Sequence, residues 1–463
     1  MKKIVSFISG IIFALFILLI PIKGLDFQAK SALATLALAI VWWIFKVFHD
    51  FVTAILMGVL FVLTTEVPME TVCSGFSSPT WWLLFSAFGL SLGVSKCGIL
   101  KRVSHKMLSF FPSNFLGQVM GLIVVGFISA PFIPSLSAKA AILAPLSMGI
   151  SDSMGYVRKS KQATGLFLAA LTGLRTPAPL FISASVIGYT LCGQYSDEIV
   201  RQFSMLTWFI SALPWFLIVT ALTSVSIYLI YRPSKEEEVA YRQDNFHSKI
   251  FPTMKRDEKI MLAIISITLL FWATENQHGI PAHIVAMLAL TFMLISNIIS
   301  PQEILTQMNW DSMIFLGFAF GIAPVFNALH IDTWLIGIFM PIISLFSFNH
   351  TGFLICIAVA TILLRVLIVS EVAYINIAFV FLLPLAESLG INPWIIGITV
   401  YAVISPWFFL YQNPVYMAAY HATNMEMVRH RDMATFCMIY LVICIFAIII
   451  SVPYWIKMGV FYM

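Results

Sequence analysis

Four ionisable side chains, Lys139, Arg175, Arg365 and Glu371, stand inside runs of apolar residues. A charge at bilayer depth costs about 2.5–3.5 kcal/mol or more, so such groups pair with one another or act on something that passes. Arg175 lies in LTGLRTPAPL. Its planar guanidinium suits a carboxylate or a sulfate, held through two parallel N–H donors. The other reading of Arg175 is an ion pair that only supports the structure. Glu371 follows Ser370 in another apolar stretch. It reads either as a carboxylate that takes up and releases a proton or as the fixed partner of Arg365 or Arg175. Arg365 reads as structural, and the role of Lys139 is left open.

Small polar residues gather at interruptions beside these charges. Ser135, Leu136 and Ser137 lie in PSLSAKAA; Ser370, Glu371 and Val372 interrupt the other stretch. Thr176 begins Thr176-Pro177-Ala178-Pro179, and Gln412 and Asn413 precede Pro414. A proline removes a backbone donor and leaves a carbonyl unpaired. A helix that starts inside the membrane presents free N–H groups and partial positive charge, which suit an anion. These ten residues, Ser135, Leu136, Ser137, Arg175, Thr176, Ser370, Glu371, Val372, Gln412 and Asn413, form the expected substrate site. Ser135, Ser370 and Glu371 are also candidates for ion coupling.

The elements that must position them are transmembrane helices. The chain has 463 residues, 60% hydrophobic and 10% charged, too little charge to cover the surface of a water-soluble protein of this size. The expected fold is all-α and integral to the membrane, with about eleven crossings at roughly 20 residues each. They fall near 4–22, 29–47, 51–66, 80–97, 163–191, 205–231, 258–274, 280–299, 311–329, 392–421 and 432–457. Two apolar stretches near 116–151 and 350–387 are broken in the middle and read as re-entrant helical hairpins. The run 333–347 is assigned to the interface. With the N-terminus in the cytoplasm, most Lys and Arg fall inside, but only if both broken stretches turn back. The basic, apolar N-terminus lacks a cleavage site of the Ala-x-Ala kind and reads as an uncleaved first helix.

The two halves resemble each other. Ala87-Phe88-Gly89 matches Ala319-Phe320-Gly321, Ser135 matches Ser370, Pro145-Leu146 matches Pro384-Leu385, and Thr176-Pro177 matches Asn413-Pro414. All four matches keep one order at an offset of about 235 residues, the sign of an inverted-repeat transporter. The expected organisation is a first helix and loop over 1–28, a first repeat over 29–231 and a cytoplasmic linker over 232–257. A second repeat covers 258–463. Glu236 to Glu238 in the linker reads as a solvated face.

Several classes fall away. The formal charge of +5 sits in loops on one side and is no nucleic-acid signature. The six cysteines form no CxxC pair, and the nine histidines form no HExxH or HxxxH pattern, so no resident metal is expected. No phosphate-binding loop motif argues for ATP-driven transport, and no nucleophile–base constellation argues for an enzyme.

Ser74-Gly75-Phe76-Ser77-Ser78-Pro79-Thr80-Trp81, followed by Phe85-Ser86-Ala87-Phe88 and Lys96-Cys97-Gly98-Ile99-Leu100-Lys101-Arg102, resembles the divalent anion–sodium symporter family. The family includes di- and tricarboxylate carriers. The resemblance implies an elevator-type transporter, usually a homodimer, whose hairpin tips bind carboxylate and sodium through Ser-Asn-Thr. Here the tips read Ser135-Leu136-Ser137 and Ser370-Glu371-Val372. Only the leading serine is kept, while Lys139 fits the exchanger-like branch of the family. The expectation is therefore a secondary carrier of a small dianion, a dicarboxylate or tricarboxylate, in the inner membrane. Sodium is a candidate coupled ion, exchange or proton coupling is the alternative, and a non-transporting sensor is a third reading.

Overall fold

The computed structural model describes residues 2–234, 253–346 and 349–462, so Glu236 to Glu238 of the linker lie outside the described residues. Among the described residues the regular elements are helices joined by turns and irregular segments, with one isolated bridge between Ile391 and Tyr462. Six helices are each long and apolar enough to cross a bilayer, and five shorter apolar helices, such as Asp50–Thr64 and Ala282–Ile295, accompany them. The N-terminal helix, Lys2–Leu19, packs along Phe27–Ile44, where Phe7 stacks on Trp42.

Both interrupted stretches form the helix pairs expected of them. Phe115–Ser129 is followed by a bend and then Leu136–Ser153; His350–Leu364 is followed by a bend and then Glu371–Ser388. The first arms have 15 residues each and the second arms 18. The predicted spans 163–191 and 392–421 are each broken in two. Lys161–Arg175 is separated from Val186–Cys192, and Pro393–Val403 from Pro414–Ala422. Thr176 caps the end of the piece before the first break, whereas Asn413 caps the start of the piece after the second. The sequence match of Thr176-Pro177 to Asn413-Pro414 therefore joins opposite ends of the two breaks. The run assigned to the interface is a helix, Ile331–Phe346, and it packs against Glu371–Ser388.

Packing repeats between the halves. In the first, both arms of the hairpin lie on Lys161–Arg175; in the second, both arms lie on Pro393–Val403. The second arms also cross over. Leu136–Ser153 packs on Pro414–Ala422 of the other half, and Glu371–Ser388 packs on Val186–Cys192. The long helices Met205–Tyr231 and His430–Lys457 pack on each other. Elsewhere Pro79–Cys97 packs on Ala282–Ile295, and its counterpart Trp310–Ala319 packs on Asp50–Thr64.

Close approach requires missing side chains at one crossing. A Cβ on Gly126 would lie 2.1 Å from the carbonyl oxygen of Gly173, so the first hairpin arm and Lys161–Arg175 touch backbone to backbone. Among the described residues, three ion pairs join the halves away from the hairpins, one of them between Arg158 and Glu426 at 3.4 Å. Lys96 pairs with Glu303 at 2.7 Å, and Arg102 with Glu258 at 3.0 Å.

Candidate anion-binding site

The serine kept at both hairpin tips does the same job twice. The Ser135 hydroxyl oxygen accepts the backbone N–H of Ala138, and that of Ser370 accepts the N–H of Ala373. Each caps the N-terminus of its hairpin's second arm and satisfies one orphan donor. The helices after the breaks start in the same way. Ser185 caps Val186–Cys192, and the Asn413 side chain caps Pro414–Ala422 by accepting the N–H of Tyr416 at 2.9 Å. Four helix N-termini therefore open at the hairpins and breaks.

Charge gathers at the same place. Glu371 is the first residue of its helix, and its Oε1 lies 3.8 Å from Arg175 Nη2 and 3.9 Å from Arg365 Nη2. The Ser405 hydroxyl donates to the same Oε1. The ion pair thus spans the chain's two halves, and it places in one cluster three of the four intramembrane charges.

The two arginines differ in what else they hold. Arg365 is fully buried and caps backbone carbonyls: those of Ile368, of Ile404 at 2.6 Å and of Gln412 at 3.1 Å. The Gln412 side chain donates back to the Arg365 carbonyl, and Asn413 Nδ2 donates to the Ser405 carbonyl at 3.1 Å. This agrees with a structural reading of Arg365. Arg175 has only 7% of its surface exposed, yet its Nη1 has no hydrogen-bond partner among the described residues. It lines a small cavity with Leu136, Tyr401, Ser405 and Tyr440. A buried, unpaired guanidinium N–H is costly unless something polar arrives to satisfy it.

The remaining expected residues spread over two spaces. Leu136 shares the Arg175 cavity, whereas Ser370 and Val372 open onto a separate vestibule of about 540 Å³ rimmed by Lys3, Lys46, His49 and Asp311. Thr176 is buried and spends its hydroxyl on the Thr172 carbonyl. Ser137 is half-buried on the first turn of its helix. Lys139 is fully buried, and its ammonium donates to the Ala184 carbonyl at 2.9 Å and the Ala130 carbonyl at 3.5 Å.

Three polar contacts were not anticipated. Ser405 reaches Glu371 because the second break folds back on the tip; its place before Pro406 was the available signal. Ser185 and Tyr401 share a hydrogen bond of 2.5 Å between the halves. Gln194 donates to Asn376 at 2.7 Å, tying the end of the first broken helix to the second hairpin. Neither pair carries a periodicity or motif that sequence could expose.

Comparison with known proteins agrees with this architecture. YflS of Bacillus subtilis (strain 168), provisionally named a malate transporter, is 25% identical over 353 residues, 74% of each chain. Dicarboxylate transporter 1, chloroplastic, of Spinacia oleracea is 22% identical over 359 residues, 73% of this chain and 60% of the spinach protein. The crystal structure of the Alcanivorax borkumensis YdaH transporter, described as having an unusual topology, aligns with a TM-score of 0.56 at 15% identity. That alignment covers 84% of this chain and 88% of YdaH, and shows a shared fold. The family model described as the sodium:sulfate symporter transmembrane region matches residues 1–461. With hairpins, broken helices and a buried arginine cluster arranged as above, this multi-pass membrane protein belongs to the sodium:sulfate symporter family.

Proposed function

We propose that the chain is a secondary transporter of a small dianion, a dicarboxylate or tricarboxylate, with Arg175 as the group that grips it. The carrying observation is Arg175, whose buried Nη1 has no hydrogen-bond partner among the described residues and which lines a small cavity at a broken helix. Arg175 and Arg365 outnumber Glu371 in the cluster, so positive charge is in excess, and an anion would offset it. The dicarboxylate-carrying relative from spinach supports the substrate class. The hairpin tips, Arg175 and the Gln412-Asn413 break form the site, and helix N-termini supply further donors.

The two halves act as inverted repeats in about eleven crossings, with the N-terminus in the cytoplasm of a bacterial-type inner membrane. The hairpins, broken helices and the two long helices move as a transport domain past a scaffold built on Asp50–Thr64, Pro79–Cys97 and their counterparts. The division follows the packing, in which these two sets of helices mainly contact their own members. The protein assembles as a homodimer. The vestibule at Ser370 is the aqueous approach to the second tip in this state.

Uptake of labelled succinate into proteoliposomes, with and without a sodium gradient, tests the reading. Uptake that Arg175→Ala abolishes supports it. Absence of uptake and of binding for succinate, malate, citrate and sulfate by folded protein overturns it. A second reading of the energetics is proton coupling. It is favoured by Glu371, a carboxylate that faces both arginines and the Ser405 hydroxyl. Uptake driven by an inward proton gradient without sodium supports that reading, and strict sodium dependence overturns it.

A further inference from the structure

Breaking a helix inside a membrane leaves carbonyls that lipid cannot satisfy. Each half of this chain has two such places, the hairpin bend and the helix break. In each half a single buried cation serves both. Lys139 donates to Ala130, in the first bend, and to Ala184, at the first break. Arg365 donates to Ile368, in the second bend, and to Ile404 and Gln412, at the two ends of the second break.

The correspondence is close. Ala184 and Gln412 each stand two residues before the helix that resumes after the break, at Val186 and Pro414. Each immediately precedes that helix's capping residue, Ser185 or Asn413. The two cations come from different positions. Lys139 is on the first turn of the second arm, whereas Arg365 caps the end of the first arm. At the equivalent of Arg365 the first half has Ala130, which ends its own first arm and whose carbonyl Lys139 reaches. The position matching Lys139 in the second half is Tyr374, whose hydroxyl donates to Thr361 on the opposite arm. The same joint is thus built from opposite arms of the hairpin. Lysine and arginine suit the task because each carries several donors and no acceptor. Neither side chain lines the Arg175 cavity or the vestibule.

We propose that Lys139 and Arg365 are equivalent positioning residues: each locks a hairpin bend to the helix break of its own half, so that tip and break hold their places around the anion as one rigid piece. The consequence for transport rests on the dianion-carrier reading, whereas the joint itself does not. Lys139 then touches no substrate.

Hydrogen–deuterium exchange of the full chain in nanodiscs, with no anion added, reads the joint directly. Lys139→Met is expected to speed exchange at 130–135 and 182–186 at least about tenfold, leaving 365–370 and 404–413 as in the wild type. Arg365→Met is expected to do the reverse. Lys139→Arg, which keeps a multi-donor cation, restores the protection. If Arg365→Met does not fold, Arg365→Lys serves; one ammonium in place of the planar fork loosens the second half only. Exchange that is unchanged in both variants, or raised equally in both halves, overturns the proposal. Succinate uptake supplies the functional arm. Lys139→Met is expected to raise KM about tenfold with a smaller change in kcat, and Lys139→Arg to recover it. Selective loosening together with wild-type KM and kcat would retain the joint and overturn its role in presenting the site. Selective loosening in a protein whose wild type takes up no dianion would uphold the joint and sink the transport reading alone.

Discussion

Glu371 and Arg175 face each other at 3.8 Å across the two halves of the chain, close enough to attract as charges and too far for a hydrogen bond. Such a pair is poised to be replaced. An incoming carboxylate can make the two short contacts that Glu371 does not, and the freed carboxylate retains Ser405 as a donor.

Arg175→Ala removes the gripping fork. Charge-assisted hydrogen bonds are worth about 1.5–3 kcal/mol each, so loss of two should weaken dianion binding roughly 100-fold or more. Arg175→Lys keeps the charge but not the fork and should retain only weak uptake. Isothermal titration with succinate and an unfolding scan separate binding from folding. Unchanged affinity in Arg175→Ala would remove this residue from the site.

Glu371→Gln keeps the size of the side chain and removes its titration. If anion movement is coupled to protons through this carboxylate, the variant should exchange dianions with little dependence on pH and should fail to accumulate them against a gradient. Counterflow and gradient-driven uptake between pH 5.5 and pH 8 check this. A pH profile that persists unchanged excludes Glu371 as the coupling group.

Outside the membrane, a carboxylate links stability to pH. Glu303 is held below the ordinary value of 4.5 by Lys96 and then by the Ser300 backbone N–H. A carboxylate whose folded pKa is depressed stabilises the fold above its unfolded pKa, and that contribution fades as pH falls through the folded one. The melting temperature should therefore drop as pH is lowered from 6 to below 4.5. The variant Glu303→Gln should start lower at pH 6 and lose less on acidification. Parallel melting curves for the two proteins would contradict the assignment.

Gly126→Ala pushes a methyl group into the Gly173 carbonyl, which is backbone and cannot turn aside. Overpacking of this kind costs about 1–3 kcal/mol. Thermal unfolding should shift down and succinate uptake should fall, because Gly173 is two residues from Arg175. Gly149→Ala is the control. Its Cβ meets nothing within 4 Å, so the variant should melt at or above the wild type.

Much of the architecture was legible in the residues themselves. Long apolar runs, charge confined to short clusters, and interruptions at Ser135 and Ser370 lead to the two bent helix pairs, because an unpaired backbone in lipid has few solutions. Ser135 and Ser370 were readable as special, yet their observed work is helix capping, a local role that spacing alone does not distinguish from binding. The match between Thr176-Pro177 and Asn413-Pro414 misled, because proline is tolerated both beyond a helix end and in a helix's first turn.

Composition and spacing alone dictate a membrane-spanning helical chain with two interrupted apolar stretches and four charges too costly to be there without purpose. Which of those charges meet is settled by the packing of distant helices. Glu371 joins Arg175 and Arg365, while Lys139 is spent on the carbonyls of Ala130 and Ala184. The reason is physical. Membrane insertion and helix formation depend on residues close together in the chain, whereas a buried charge is compensated by whatever lies near it in space: Ala184 reaches Lys139 and Ser405 reaches Glu371 only when each half folds on itself, and Arg175 meets Glu371 only when the halves pack.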